Sequence, residues 1–198
     1  CVTGVQTCAL PISPMYLAKV NYKREDVTHI LSSILKNIIS DNTVIICIGT
    51  DRAIGDALGP LVGTMLKNSD FKYPVYGTLD NPIHALNIYE SIEKIKSKHS
   101  SSQFLAIDAC LGSASNIGNI QIREGPILPG KGVGKKLPQV GTYSIVGIVD
   151  KIDENNRFSF NNIRLHFILE LAETIALSLL LATRSEERRV GKECRSRW

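Results

Sequence analysis

The chain has 198 residues, a hydrophobic fraction of 43% and a formal net charge of +4. Three of those four net positive charges lie in residues 184–198, so the rest of the chain is close to neutral. A nearly neutral body argues against a nucleic-acid-binding protein, and its length allows one domain with a substantial core.

Both ends of the chain differ from the part between them. Residues 1–13 and 184–198 show no core periodicity and resemble translated sequencing-adapter read-through. The alternatives are a signal peptide for the first stretch, which lacks a basic start and a long apolar core, and a basic tail for the second. We therefore expect a single α/β domain over residues 14–183.

Cysteine usage indicates the redox compartment. Outside the two end segments only Cys47 and Cys110 are present, and no Cys-x-x-Cys or Cys/His ligand spacing occurs. Two lone thiols predict a reduced, cytosolic protein without structural zinc. Cys110 is also weighed as a nucleophile, against the commoner role of a buried structural thiol.

Hydrophobic periodicity predicts elements in the following order. They are a helix at 25–39, a strand at 44–48, a helix that begins at Asp56, a strand at 75–79, a helix at 84–98, strands at 104–107, 119–123 and 144–149, and a helix at 162–181. The alternation of residues 119–123 is typical of a strand with an exposed face. Strands that alternate with helices favour a three-layer α/β/α sandwich with a mostly parallel sheet.

The last predicted helix is apolar enough to raise the question of a membrane span. Four polar or charged residues interrupt it: Arg164, His166, Glu170 and Glu173. We therefore expect a buried helix and no membrane partner.

A carboxylate follows the first predicted core strand. Residues 44–48 end at Gly49, and Gly49 and Gly55 allow a tight loop that leads to Asp56 at the start of a helix. Asp56 is a candidate functional acid, and the alternative is an ordinary helix cap.

A second carboxylate follows the strand at 104–107. Asp108 stands where this apolar run ends. Ligands of open parallel sheets bind outside the carboxyl ends of the strands, so Asp56 and Asp108 converge if their strands are neighbours. The alternative for Asp108 is a turn-forming residue.

Three segments carry a resemblance to a known family. Residues 49–60, 76–86 and 137–149 resemble the YyaC family of sporulation proteins from spore-forming Firmicutes. Residues 56–60 also resemble the spore germination protease, and residues 49–59 are similar to the glycine-acid loop of hydrogenase-maturation endopeptidases. The resemblance implies a phosphorylase/hydrolase-like fold and a peptidase with Asp56 and Asp108 as its functional carboxylates.

One position departs from the hydrogenase-maturation enzymes. Their third metal ligand is a histidine three residues before a glycine, and Pro138 occupies that position before Gly141. Proline cannot coordinate a metal, so we expect neither metal nor cofactor. A metal-binding maturation endopeptidase remains the weaker alternative.

Five further residues are candidates for substrate contact. Turn chemistry by itself explains Asp80 and Asn81, but the resemblance implies that their loop, with His84, helps to shape the substrate groove. Asp51 and Arg52 either line the entrance of the same groove, where Arg52 would orient a substrate carboxylate, or form a solvated pair on the surface.

The predicted activity is hydrolysis of a peptide bond by two carboxylates, of which one keeps a proton while the other activates water. The resemblance implies a role in sporulation or germination, a cytoplasmic location in the spore or forespore interior, and small acid-soluble spore proteins as substrates. A homo-oligomer stays open. The alternative is a non-catalytic sporulation factor on a hydrolase fold.

Overall fold

The structure is a computed structural model that describes residues 15–129, 137–151 and 163–184. The expected domain start at residue 14 and nearly all of both end segments lie outside these ranges. The helices are α1 (Val27–Ile38), α2 (Leu58–Lys67), α3 (Ile88–Lys98) and α4 (Leu165–Thr183). The strands are β1 (Met15–Asn21), β2 (Thr43–Cys47), β3 (Val75–Tyr76), β4 (Gln103–Gly112), β5 (Asn119–Glu124) and β6 (Tyr143–Lys151).

The six strands form one sheet in the order β1-β5-β6-β4-β2-β3. Strands β3, β2, β4 and β6 run parallel, whereas β5 is antiparallel to both of its neighbours, β6 and β1. The mostly parallel sheet is as predicted. Because β2 and β4 are neighbours, their carboxyl ends meet at one edge, which is the condition for Asp56 and Asp108 to converge.

Helices cover both faces of the sheet, which confirms the three-layer sandwich. The first face packs against α1, α2 and α4, and its strand residues in the core include Ile107, Ile122 and Ile145. The second face packs against α3, where Ile46 and Ala106 belong to the core. Alternate residues of each strand point to opposite faces, so this division assigns a face to every strand residue.

Helix α4 is long and apolar enough to cross a membrane by length and composition. In the fold it is a core helix, because Ile168, Leu171, Ile175 and Leu179 are fully buried in the first-face core. The predicted burial of this helix is confirmed.

Several predicted boundaries were wrong, and one strand was missed. Helix α3 begins at Ile88 rather than at residue 84, because Asn87 closes a turn: its Oδ1 accepts from the His84 N–H (2.8 Å) and its Nδ2 donates to the Pro82 carbonyl (2.9 Å). Strand β1 was not predicted. It is an edge strand without regular alternation of buried and exposed residues, so it carries little periodic signal.

Candidate active site

The loop after β2 is held by two backbone hydrogen bonds. The Gly49 N–H donates to the Ile83 carbonyl (2.8 Å), and the Thr50 N–H donates to the Asp56 carbonyl (3.0 Å). Gly49 has a φ of 139°, and a Cβ there would lie 2.0 Å from the Asp56 carbonyl oxygen. Only glycine fits at this position, and the resulting tight loop places Asp56 above the end of β2.

Asp56 does not cap a helix. It ends a short 3₁₀ turn (Ile54–Asp56), and α2 begins only at Leu58, with Ala57 as its N-cap residue. Neither helix start receives a side-chain capping hydrogen bond. The cap alternative for Asp56 is therefore wrong, which leaves its carboxylate without a role in the helix start.

Asp108 lies inside β4 rather than beyond the end of this strand. The strand continues to Gly112, and Asp108 pairs with Val146 of β6. Its Oδ1 accepts from the N–H of the next residue, Ala109 (2.8 Å), and its exposed fraction is only 8%. The turn-forming alternative is therefore wrong, because a strand residue closes no turn. Asp108 shares the second face with Ala106, two residues earlier.

The two carboxylates belong to one site. Burial raises the pKa of Asp108 well above its usual value, and the negative charge of Asp56 raises it further, against a smaller lowering by the Ala109 amide. Burial also raises the pKa of Asp56, to about 6, while the Thr50 amide opposes this shift. Within the described ranges no lysine, arginine or histidine forms an ion pair with either acid.

The two acids are not equivalent. Asp56 is half-buried and ionises at a pH of about 6, whereas Asp108 is almost fully buried and feels the charge of Asp56. Both shifts favour the protonated form, and Asp108, which is more deeply buried and also feels the charge of Asp56, holds its proton more tightly than Asp56 does. Two acids that hold their protons with different strength can act chemically as a base and an acid.

Four of the residues predicted to contact substrate lie exposed in two different loops. Asp51 and Arg52 are exposed in the loop after β2, where the Arg52 N–H donates to the Thr50 hydroxyl (3.3 Å). Asp80 and Asn81 are exposed in the loop after β3. Among the described contacts, none of these four side chains hydrogen-bonds to Asp56 or Asp108, and their roles stay predictions.

His84 lies next to a residue that pairs with the end of β2, close to the start of the loop that carries Asp56. It follows Ile83, which forms a β-bridge with Ile48 at the end of β2. The ring Nδ1 accepts from the Leu86 N–H (3.3 Å), so the neutral imidazole carries its proton on Nε2. His84 is half-buried and can present an N–H donor, which agrees with the predicted role in substrate contact without testing it.

Sequence reasoning missed two buried polar residues on the second face. Residues 119–123 were expected to form an exposed-face strand, yet Gln121 is only 4% exposed, and Ser144 of β6 is 2% exposed. The alternation of residues 119–123 shows which residues share a face, but not whether that face is covered. Ser144 was read only as the start of an apolar strand.

Within the described ranges, no group of three or more His, Cys, Asp or Glu side chains is arranged to hold a metal ion. Pro138 belongs to the described residues and offers no ligand atom in its side chain. The expectation of a metal-free site remains a prediction, because two carboxylates alone can still contribute to a metal site with water or substrate.

Three comparisons connect the chain with known proteins. A model of the family described as "Protein of unknown function (DUF1256)" matches residues 19–178. The "Uncharacterized protein YyaC" of Bacillus subtilis (strain 168) is 42% identical over 165 residues, which cover 83% of this chain and 80% of that protein. The resemblance to YyaC proteins is thereby confirmed. A crystal structure of the [NiFe] hydrogenase maturation protease HycI from Thermococcus kodakarensis KOD1 is similar at 18% identity and a TM-score of 0.40, over 74% of this chain and 99% of that one.

Proposed function

The chain belongs to the DUF1256 family of proteins of unknown function, and we propose that it is a peptidase that uses Asp56 and Asp108 as its catalytic pair. One observation carries this proposal: the charge of Asp56, in the loop after β2, raises the pKa of Asp108, in the neighbouring strand β4, in a poorly solvated site without a basic partner among the described residues. Such an arrangement lowers stability, and pairs of acids with separated pKa values are typical of acid–base catalysis.

The proposed reaction follows from the protonation states. The ionised Asp56 takes a proton from water while the water oxygen forms a bond to the scissile carbonyl carbon. The protonated Asp108 donates a hydrogen bond to the carbonyl oxygen and then transfers its proton to the amine nitrogen as the C–N bond breaks. The proton on Asp56 then returns to Asp108, which restores the pair for the next cycle.

The biological setting is also a proposal. The likeness of the loops at residues 49–60 and 76–86 to sporulation proteins supports a role in sporulation or germination, within the cytoplasm of the spore or forespore. Small acid-soluble spore proteins are the proposed substrates, and His84, Asp80, Asn81, Asp51 and Arg52 are proposed to contact them. No metal, cofactor, nucleic acid or membrane takes part in this scheme.

The test compares Asp56→Asn and Asp108→Asn with wild type in the hydrolysis of isolated spore proteins and of a peptide library. Each variant should lose activity by about 100-fold or more, because asparagine keeps the size but neither takes nor supplies the proton. Asp41→Asn is the matched control, because Asp41 is exposed just before β2. A chelator should leave the wild-type rate unchanged.

Three outcomes would contradict the proposal. Full activity in either variant would remove that aspartate from catalysis. A wild-type protein that hydrolyses none of these substrates, although circular dichroism shows that it is folded, would favour the non-catalytic sporulation factor. Loss of activity with the chelator, and its return with nickel or zinc, would favour the metal-dependent alternative.

A further inference from the structure

A second buried polar side chain lies in the same row of the sheet as Asp108, on the second face. In the strand register, Asp108 of β4 pairs with Val146 of β6, and Val146 pairs with Gln121 of β5. Because Ile120 and Ile122 belong to the first-face core, Gln121 points to the second face, as Asp108 does. The described second-face core contains residues of β2 and β4 but none of β5 or β6. On this half of the face the buried polar residues Gln121 and Ser144 lie among the buried apolar residues Val146 and Ile148.

Arg123 adds a positive charge to this half of the face. Its side chain points to the same face as Gln121, and its Nε (3.1 Å) and one terminal nitrogen both donate to the Gln121 Oε1. The Arg123 guanidinium carbon lies 5.0 Å from the centre of the Tyr16 ring. The Gln121 contact joins the guanidinium to the row that contains Asp108, whereas the Tyr16 contact lies in Arg123's own row, on the β1 side.

The guanidinium has no carboxylate partner among the residues that the structure describes. Arg123 is half-buried, and a partly desolvated charge without a counter-charge lowers stability unless a ligand supplies one. The Gln121 Oε1 accepts from two of the guanidinium nitrogens but carries no charge. The remaining N–H groups of the guanidinium suit a carboxylate, which can accept from two N–H groups at once.

We propose that Arg123 is a specificity-determining residue that binds a carboxylate of the peptide substrate, from an acidic side chain or from the chain terminus. The proposal rests on the peptidase function proposed above and adds the chemical class of its substrate. Gln121 orients the guanidinium, and the Tyr16 ring covers one side of it. Acidic substrates would therefore be preferred over neutral ones.

The geometry sets the distance between this carboxylate and the bond that is cut. Neighbouring strands lie about 4.8 Å apart, so two steps across the sheet from Asp108 to Gln121 span about 10 Å. An extended peptide advances about 3.3 Å per residue, so the recognised carboxylate lies about three residues from the scissile bond.

The test measures binding first, so that it does not depend on hydrolysis. Fluorescence anisotropy measures the binding of four labelled peptides to the Asp56→Asn protein. The peptides share one sequence except that the third residue from the centre is Glu or Gln, and each of these two is made with a free or an amidated carboxyl terminus. At least one peptide with a carboxylate should bind about tenfold more tightly than the peptide with Gln and an amidated terminus. Whether the Glu side chain or the free terminus gives this tighter binding identifies the source of the carboxylate. Arg123→Gln, added to Asp56→Asn, should abolish this preference, and Arg123→Lys should keep part of it.

Kinetics with a cleaved peptide then separate recognition from folding. Arg123→Gln should raise KM about tenfold for the preferred peptide with little change in kcat, and should leave the neutral peptide unaffected. Arg164→Gln is the matched control, because Arg164 is exposed at the start of α4. Should Arg123→Gln fold poorly, Arg123→Lys carries the same comparison.

The outcomes distinguish this inference from the proposed function. A carboxylate preference that depends on Arg123 in binding, without any hydrolysis by wild type, would support the binding role and contradict the peptidase. Equal binding of all four peptides, or an equal loss for acidic and neutral peptides in the Arg123 variants, would overturn the inference and leave the Asp56 and Asp108 test untouched.

Discussion

The two faces of the sheet are built differently. On the first face, strand residues such as Ile107, Ile122 and Ile145 pack against α1, α2 and α4. On the second face buried polar residues lie among apolar ones: Asp108, Gln121 and Ser144 are buried there together with Val146 and Ile148 of β6.

The difference separates residues that stabilise the fold from residues that need another explanation. Burial of apolar side chains lowers the free energy of the folded state, whereas burial of an uncompensated carboxylate raises it. A protein that had only to fold would gain by an apolar residue in place of Asp108. The second face beside β4 is therefore where function is expected, and three substitutions can break or sharpen this contrast.

Leu171→Ala tests the first face and has the largest expected effect on stability. Leu171 is fully buried in the first-face core, and its truncation should lower the free energy of unfolding by about 2–5 kcal/mol. The pH profile of activity should not change, since no acid loses a neighbour. Urea denaturation measures the first quantity and initial rates measure the second. A shifted pH profile would show that the two faces are not independent.

Gly59→Ala tests the junction between α2 and β2. A Cβ at residue 59 would lie 2.1 Å from the Ile48 carbonyl oxygen, which is backbone and cannot swing away. We expect a loss of about 1–3 kcal/mol in the free energy of unfolding, as for other overpacked sites. Activity should fall as well, because α2 and the loop that carries Asp56 must move away from the strand end.

Gly125→Ala is the control for that substitution. Gly125 has a positive φ of 112°, but nothing lies within 4 Å of a Cβ placed there. It should lose stability from backbone strain alone and keep its activity. Equal activity in Gly59→Ala and wild type would mean that the spacing between α2 and β2 does not position Asp56.

Asp56→Asn should have the smallest effect on stability, and an effect that depends on pH. The pKa of Asp56 is about 6 in the folded protein against a usual value of 3.8, so the folded state binds its proton more tightly than the unfolded state. The stability that this proton contributes is complete below pH 4 and is lost as the pH rises through 6. Asparagine does not ionise and therefore avoids this loss.

The melting temperature of Asp56→Asn should accordingly match that of wild type near pH 4 and exceed it by a few degrees at pH 7–8. Asp41→Asn, at an exposed position, should follow wild type throughout. A variant that is less stable than wild type at pH 8 would show that the Asp56 carboxylate stabilises the fold, which would contradict the contrast between the two faces.

The site could be predicted in part. Both acids were found from their positions after apolar runs, because ligands of parallel sheets collect at the carboxyl ends of strands. The alternatives of a helix cap for Asp56 and a turn for Asp108 could not be decided from sequence, since a cap, a turn and a buried site use the same residue type. Gln121 was misjudged because alternation assigns faces but does not show what covers them.

The sequence by itself determined the order of the elements from α1 to α4 and the sandwich architecture, because hydrophobic periodicity and glycine positions are local properties of the chain. Only the tertiary structure decided which strands are neighbours, and hence that Asp56 raises the pKa of Asp108 and that Arg123 shares a face with it. Burial and electrostatic coupling depend on the distances between groups far apart in the chain, and those distances exist only once the sheet has formed.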